Sequence, residues 1–88
     1  MTTQLTAPRV PYAAPHLRSR RERLVRAAAD LWRVVDRDER VIGHLRIVED
    51  AMGVRYRAER LHRATGRLVE LGAFWSADEA AECLRTSR

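Results

Sequence analysis

The residue types that most often carry out chemistry are sparse in this chain and far apart. The three histidines, His16, His44 and His62, are distant from one another and from the single cysteine, Cys83. No Cys-x-x-Cys or His-x-x-x-His spacing is present, and zinc sites depend on such pairs. The sequence therefore predicts no metal site.

The carboxylates and hydroxyls do not form a catalytic pattern either. The acidic pairs stand in predicted turns or at a predicted helix start, where turn and capping roles account for them: Asp38-Glu39, Glu49-Asp50 and Asp78-Glu79. The chain has no glycine-flanked nucleophile and no glycine-rich phosphate loop. We predict no catalytic residue, no cofactor and no enzymatic activity.

Arginine supplies the remaining chemistry, because its guanidinium group binds phosphates and carboxylates. Residues 1–29 contain six arginines and one glutamate, a net charge of +5, whereas residues 30–88 contain eleven arginines and eleven acidic residues, a net charge of zero. A GC-rich bacterial genome would explain why every basic residue is Arg, but it would not explain this clustering. A basic segment beside a neutral domain indicates contact with a polyanion.

The basic segment lies outside the expected domain. Residues 1–16 contain all three prolines and no periodic pattern, which predicts a disordered tail. Residues 17–29 are strong helix formers with Leu17, Leu24 and Ala28 near one face, which predicts a basic helical arm. One cysteine, no long apolar run and no secretory signal favour a cytoplasmic protein that does not enter the membrane.

Residues 30–85 are expected to form one α+β domain. Alternating apolar and polar residues separated by turn sequences predict an antiparallel meander of three to four strands, drawn from residues 31–36, 41–49, 54–62 and 67–74. Trp32, Tyr56 and Phe74 are expected in the core. Gly43 marks a bulge or a close approach.

A C-terminal helix should close the domain. Ser76 and Glu79 have the spacing of a capping box, in which the serine hydroxyl accepts from the amide three residues on. Trp75 precedes the cap, as a hydrophobic staple with Ala80 or as an exposed stacking residue. The apolar stripe that would lie on the sheet comprises Ala77, Ala80, Ala81 and Leu84.

The outward-facing arginines of the sheet are the main candidates for binding. They are expected on the face opposite the helix: Arg33, Arg46, Arg55 and Arg57. One interpretation is a solvated face whose arginines pair with Glu59, Glu70 or Asp36 across the strands. The other is a twisted sheet in a DNA groove, with arginines on phosphates and guanine edges. The arm would add contacts from Arg18, Arg20, Arg21, Arg23 and Arg26.

Two strings add a resemblance to known families. GVRYR (53–57) followed by LGAFWSADEAAECL (71–84) resembles the plant ethylene-response-factor DNA-binding domain and the arm-site-binding N-terminal domain of phage-type tyrosine recombinases. The best match is the turn into the helix, carried by Leu71, Gly72, Phe74, Ser76, Glu79, Ala80 and Ala81. The resemblance implies a three-stranded sheet on one helix that reads the major groove with Arg and Trp side chains, and it places Arg55 and Arg57 among the reading residues. The plant family has an extra tryptophan-bearing strand where residues 58–70 have one turn, so residues 31–48 would have to supply it.

We therefore predict a small DNA-binding accessory or regulatory protein of bacterial or phage type, with double-stranded DNA as its partner. The alternative is a protein-interaction module that docks on a partner, or on a second copy, through its N-terminal helix or an edge strand.

Overall fold

A five-stranded antiparallel sheet with one helix on one side makes up the fold, as described by a computed structural model for residues 11–87. The elements in chain order are β1 (Glu22–Ala28), β2 (Leu31–Asp36), β3 (Val41–Asp50), β4 (Gly53–His62), β5 (Arg67–Phe74) and α1 (Ala77–Thr86). Strand order in the sheet follows the chain. The α+β class is confirmed, whereas the described residues contain five strands rather than three to four.

The additional strand is β1, which occupies the segment for which the composition predicts a helix. The helix prediction for residues 17–29 is therefore wrong over Glu22–Ala28. Leu24 pairs with Val34 and faces the core, whereas Val25 pairs with Arg33 on the other face. An isolated helix of this length is marginal in water, so pairing with β2 outweighs the helix propensity of the segment. The protein-interaction hypothesis names an N-terminal helix or an edge strand as the docking element. Because Glu22–Ala28 is a strand, the helix is no longer a candidate.

Residues 11–21, here called the strap, pack against the domain. The Tyr12 amide donates to the carbonyl of Ala29 at 3.1 Å, and the Tyr12 hydroxyl donates to Glu49 Oε1 at 2.9 Å. Leu17 packs against the core. The predicted tail comprises residues 1–16. Of these, residues 1–10 lie outside the described residues, and residues 11–16 belong to the strap.

Helix α1 begins as the capping box predicts. The Glu79 amide donates to Ser76 Oγ at 3.2 Å, and the two side chains approach each other at 3.3 Å. The predicted apolar stripe is confirmed as the buried side of the helix, made of Ala77, Ala80, Ala81 and Leu84. It packs on β3, β4 and β5. No helix in residues 11–87 combines the length and the apolar character needed to cross a bilayer.

Gly43 allows the helix to lie close to the sheet. A Cβ at this position would fall 2.4 Å from Leu84 Cδ2 and 2.9 Å from the carbonyl oxygen of Glu59. The predicted close approach is therefore confirmed, and only a glycine leaves room for the Leu84 side chain.

The two faces of the sheet differ in their cover. The face toward α1 and the strap holds the core, in which Trp32, Val34, Leu45 and Leu84 are fully buried. Tyr56 and Phe74 are partly buried against it. The opposite side, here called the open face, carries no helix in the part of the chain that the structure describes. The open face is therefore the broad face of the sheet that the helix leaves uncovered.

Candidate nucleic-acid interface

The strand register brings the four sheet arginines to the open face. Arg46 and Arg57 are directly opposite each other on β3 and β4. Arg55 lies two residues before Arg57, and Arg33 lies on β2 opposite His44. Because side chains alternate along a strand, all four project away from the core positions Trp32, Leu45, Tyr56 and Ala58. The structure therefore places these residues together.

Glu59 occupies the centre of this face and is held by two of the arginines. Its Oε2 accepts from Arg46 Nε at 2.9 Å and from Arg57 Nη1 at 3.2 Å. Glu59 is only 4% exposed, so its carboxylate depends on these two guanidinium groups for compensation. The hydrogen bond to Glu59 raises the pKa of Arg46 above its usual range. Arg46 and Arg57 are thus oriented within the protein, and a phosphate would compete with Glu59 for them.

Outer acidic residues complete the ion-pair network. Arg46 Nη1 lies 3.6 Å from Asp30 Oδ2, and Arg57 Nε lies 3.6 Å from Glu70 Oε1. Glu70 is a partner that the solvated-face interpretation names, and Asp30 is not. Arg33 is exposed and makes no ion pair among the described residues. Charge on the open face is therefore compensated at the centre and free at Arg33.

Trp75 adds an aromatic side chain at the edge of the open face. It follows β5 one position beyond the Tyr56 and Phe74 pair and lies beside Arg55. It is 59% exposed, and the Arg55 guanidinium carbon lies 5.3 Å from the centre of its ring. Arg55 also donates to Asp50, and this hydrogen bond lowers the pKa of the Asp50 carboxyl. Trp75 is thus exposed, as one of the two predictions for this residue states. It was not among the binding residues that the sequence predicted. Alternation through Phe74, a predicted core residue, would have placed Trp75 on the outer face.

The five N-terminal arginines do not join this surface as one group. Arg26 lies on the covered side, 4.8 Å from the centre of the Trp32 ring, and donates to the carbonyl of Tyr12 at 2.6 Å. Arg23 pairs with Glu39. Arg26 therefore holds the strap to the sheet, whereas Arg23 belongs to an ion pair in which both side chains are exposed.

The other three N-terminal arginines are exposed. Arg18, Arg20 and Arg21 form no ion pair among the described residues. Arg37 Nε donates to the carbonyl of Arg20 at 3.4 Å, which places Arg20 beside the turn between β2 and β3. The exposed charge of Arg20 therefore lies at that end of the sheet. Arg18, whose amide donates to Asp78 at the start of α1, lies at the other end, in a cleft that Trp75 also lines.

The histidines and the cysteine are not assembled into a reactive group. In residues 11–87 no three His, Cys, Asp or Glu side chains are close enough together to hold a metal ion. His44 Nδ1 is buried and lacks a hydrogen-bond partner in this part of the chain. Burial, followed by the charge of Arg33, lowers the pKa of His44. His44 is therefore a neutral member of the open face at neutral pH.

Comparisons with protein-family models, with curated proteins and with solved structures find no match to this chain. The likeness to the ethylene-response-factor and recombinase domains therefore rests on the residues quoted for it.

Proposed function

We propose that the protein binds double-stranded DNA through the open face, with Arg33 on one side and the Arg55–Trp75 pair on the other. The observation that carries the proposal is the exposed Trp75 ring beside Arg55 on a sheet face that also holds Arg33, Arg46 and Arg57. On a duplex, an exposed aromatic side chain beside arginines can contact sugars and thymine methyl groups at the groove while the arginines contact phosphates.

The dimensions of the face are compatible with a duplex. Three strand spacings separate β2, which carries Arg33, from β5, which leads into Trp75. At about 4.8 Å per spacing this is roughly 14 Å. The major groove of B-DNA is about 12 Å wide and admits strands. Along the strands, Arg33 pairs with His44 and Arg55 pairs with Val48, four residues further on, which adds about 13 Å. Arg33 and Trp75 would therefore lie roughly 19 Å apart and meet the phosphates on either side of the groove.

The paired arginines have a different role from the free one. Arg46 and Arg57 are oriented by Glu59, so they give the centre of the face a fixed shape and present only part of each guanidinium to a ligand. Arg33 needs no carboxylate to be displaced. The exposed Arg20 and Arg21 would add phosphate contacts beyond the sheet.

A salt titration of duplex binding tests the proposal. With about six phosphate contacts, the logarithm of the affinity should fall with the logarithm of the salt concentration at a slope of about −5. Fluorescence anisotropy with a labelled random-sequence duplex gives this slope directly. The proposal is wrong if the duplex does not bind at low salt, or if the affinity does not change with the salt concentration.

Two substitutions localise the contact. Arg33→Ala should weaken duplex binding and make the salt slope shallower by about one unit, because one ionic contact is lost. Trp75→Ala should weaken binding about fivefold, with little change in slope, because the contact is apolar and not ionic. Arg67→Ala is the matched control, since Arg67 is exposed at the start of β5, where it pairs with His62 and not with an arginine of the open face. An Arg67→Ala effect as large as that of Arg33→Ala would show that overall charge, and not the open face, determines the affinity.

A further inference from the structure

Strands β3 and β4 separate from each other before they end. Their ladder runs from Asp50 and Gly53 as far as His44 and Glu59, yet β3 begins at Val41 and β4 continues to His62. Residues 41–43 border β2 on their other side, and residues 60–62 pair with β5. On the sides that face each other, these two strand ends have no strand partner within residues 11–87.

Register shifts and the helix end explain the separation. The β2–β3 register shifts between Val34 and Val35, and the β4–β5 register shifts between Ala58 and Glu59. Such irregularities bend and twist a strand, and both occur where the β3–β4 ladder stops. Arg60 then binds the end of α1, donating to the carbonyl of Leu84 at 3.0 Å. The end of β4 follows the helix while the start of β3 follows β2.

The space between the two strand ends is an open cleft of about 560 Å³ with a basic lining. Its lining residues are Arg40, Val41, Ile42, Gly43, His44, Arg60, Leu61 and Arg63. This set includes three arginines and no carboxylate. Arg40 and Arg63 make no ion pair among the described residues. The cleft therefore favours an acidic ligand.

The cleft also offers features that a bare phosphate would not use. Val41 and Leu61, on its two sides, are 51% and 47% exposed. Strand edges without partners leave backbone N–H and C=O groups available for pairing. An extended peptide satisfies both features, because its backbone pairs with an edge while alternate side chains meet apolar contacts.

We propose that this cleft binds an extended acidic segment of a partner protein, which adds as a short strand between the separated ends of β3 and β4. Arg40 and Arg63 bind the carboxylates of the segment, and Val41 and Leu61 contact its apolar side chains. The site lies at the opposite end of β3 and β4 from Arg55 and Trp75. It does not depend on DNA binding, and the protein could hold both ligands.

A designed peptide tests the proposal without knowledge of the natural partner. The probe is a labelled peptide of alternating Glu and Val, and its charge-reversed counterpart alternates Lys and Val. In a ¹H–¹⁵N titration of the full chain, the acidic peptide should shift the amides of residues 41–43 and 60–62, and the lysine peptide should not. The absence of binding by the acidic peptide at low salt would overturn the proposal.

Two comparisons separate strand addition from simple charge attraction. The acidic peptide with alternate amides N-methylated keeps its charge but cannot pair along one edge, so its affinity should fall at least tenfold. An unchanged affinity would overturn strand addition. In the protein, Arg40→Glu with Arg63→Glu should weaken peptide binding at least tenfold, whereas Arg37→Glu with Arg67→Glu changes overall charge equally outside the cleft and should have a much smaller effect. Equal effects of the two double variants would overturn the assignment to the cleft.

The same titration distinguishes a peptide from a nucleic acid as the ligand of the cleft. Duplex DNA should shift amides near Arg55 and Trp75, which lie at the opposite end of β3 and β4 from the cleft, and not those of residues 41–43 and 60–62. If duplex DNA shifts the cleft amides while the acidic peptide does not, the cleft is a nucleic-acid site and the peptide proposal is wrong.

Discussion

Arg85 donates from Nη1 to both carboxylate oxygens of Glu22, at 3.1 Å each, and joins the last turn of α1 to the first residue of β1. The Glu22 side chain is 2% exposed and that of Arg85 is 25% exposed. Helix α1 packs on β3, β4 and β5, whereas β1 is the edge strand beyond β2. The ion pair therefore fixes an edge strand to a helix with which it shares few other contacts.

The unequal burial of this pair predicts unequal effects of substitution. Arg85→Met leaves a buried carboxylate without compensation, so the free energy of unfolding should fall by about 3 kcal/mol or more. Glu22→Gln keeps an acceptor for Arg85, which can also reach water, and should cost about 1 kcal/mol. Urea unfolding measures both values. The double variant should be more stable than Arg85→Met alone, and similar small losses for the two single variants would contradict this account.

The strap should detach from the helix in acid. The Asp78 carboxylate accepts from the amides of Arg18 and Ser19 at 3.0 to 3.1 Å, and these hydrogen bonds, that of Arg18 first, lower the pKa of Asp78. A carboxyl whose pKa is lower in the folded than in the unfolded state stabilises the fold at pH values above its ordinary pKa of 3.8. This stabilisation is lost as the pH falls through the lowered value.

Asp78→Asn should produce the same detachment at neutral pH. The amides of Arg18 and Ser19 should then exchange with solvent faster, while amides in the centre of the sheet keep their protection. Glu82→Gln, which neutralises an exposed acid on the same helix, is the control and should leave the strap amides unchanged. Equal protection of the two strap amides in Asp78→Asn and in the original protein would contradict a role for this carboxylate.

The C-terminal helix could be predicted in detail because its signals are local. Ser76 and Glu79 define its start, and four apolar residues at helical spacing define its buried side. The strands from Leu31 onward could be predicted for a similar reason, since each has its own alternating pattern and is bounded by turn residues.

Strand β1 and the centre of the open face depend on pairing, which no local pattern encodes. The segment around Leu24 has helix-forming residues, and only its partner β2 makes it a strand. Glu59 occupies an outward position that a sequence pattern assigns to solvent. Its burial arises because the register places Arg46 and Arg57 opposite each other in the neighbouring row of the same face, where both reach its carboxylate. The register also shifts within β2–β3, beside Gly43 where a bulge is one of the two predictions, and within β4–β5, where no sequence pattern predicts a shift.

Gly43→Ala should destabilise the protein by about 1 to 3 kcal/mol, because the new methyl group would overlap Leu84 Cδ2 and the backbone carbonyl of Glu59. Thermal and urea unfolding measure the loss. Leu84→Ala tests whether this overlap is the cause, because it removes the Leu84 methyl groups. The substitution also destabilises the protein by itself, since it leaves a cavity. Gly43→Ala should cost less in the Leu84→Ala background than in the original protein. Additive costs would show that the helix and Gly43 are not in contact as described.

Glu59→Gln should strengthen DNA binding while it weakens the fold. The substitution keeps the shape of the side chain but removes the negative charge that Arg46 and Arg57 share, so both guanidinium groups become available to phosphates. Duplex affinity should rise several-fold and the salt slope should steepen by about one unit. Glu70→Gln is the control, because Glu70 is exposed and only Arg57 approaches it, at 3.6 Å. Its effect on anisotropy titrations should be smaller. A folded Glu59→Gln variant, verified by circular dichroism, that binds duplex DNA no better than the original protein would show that these two arginines serve the fold alone.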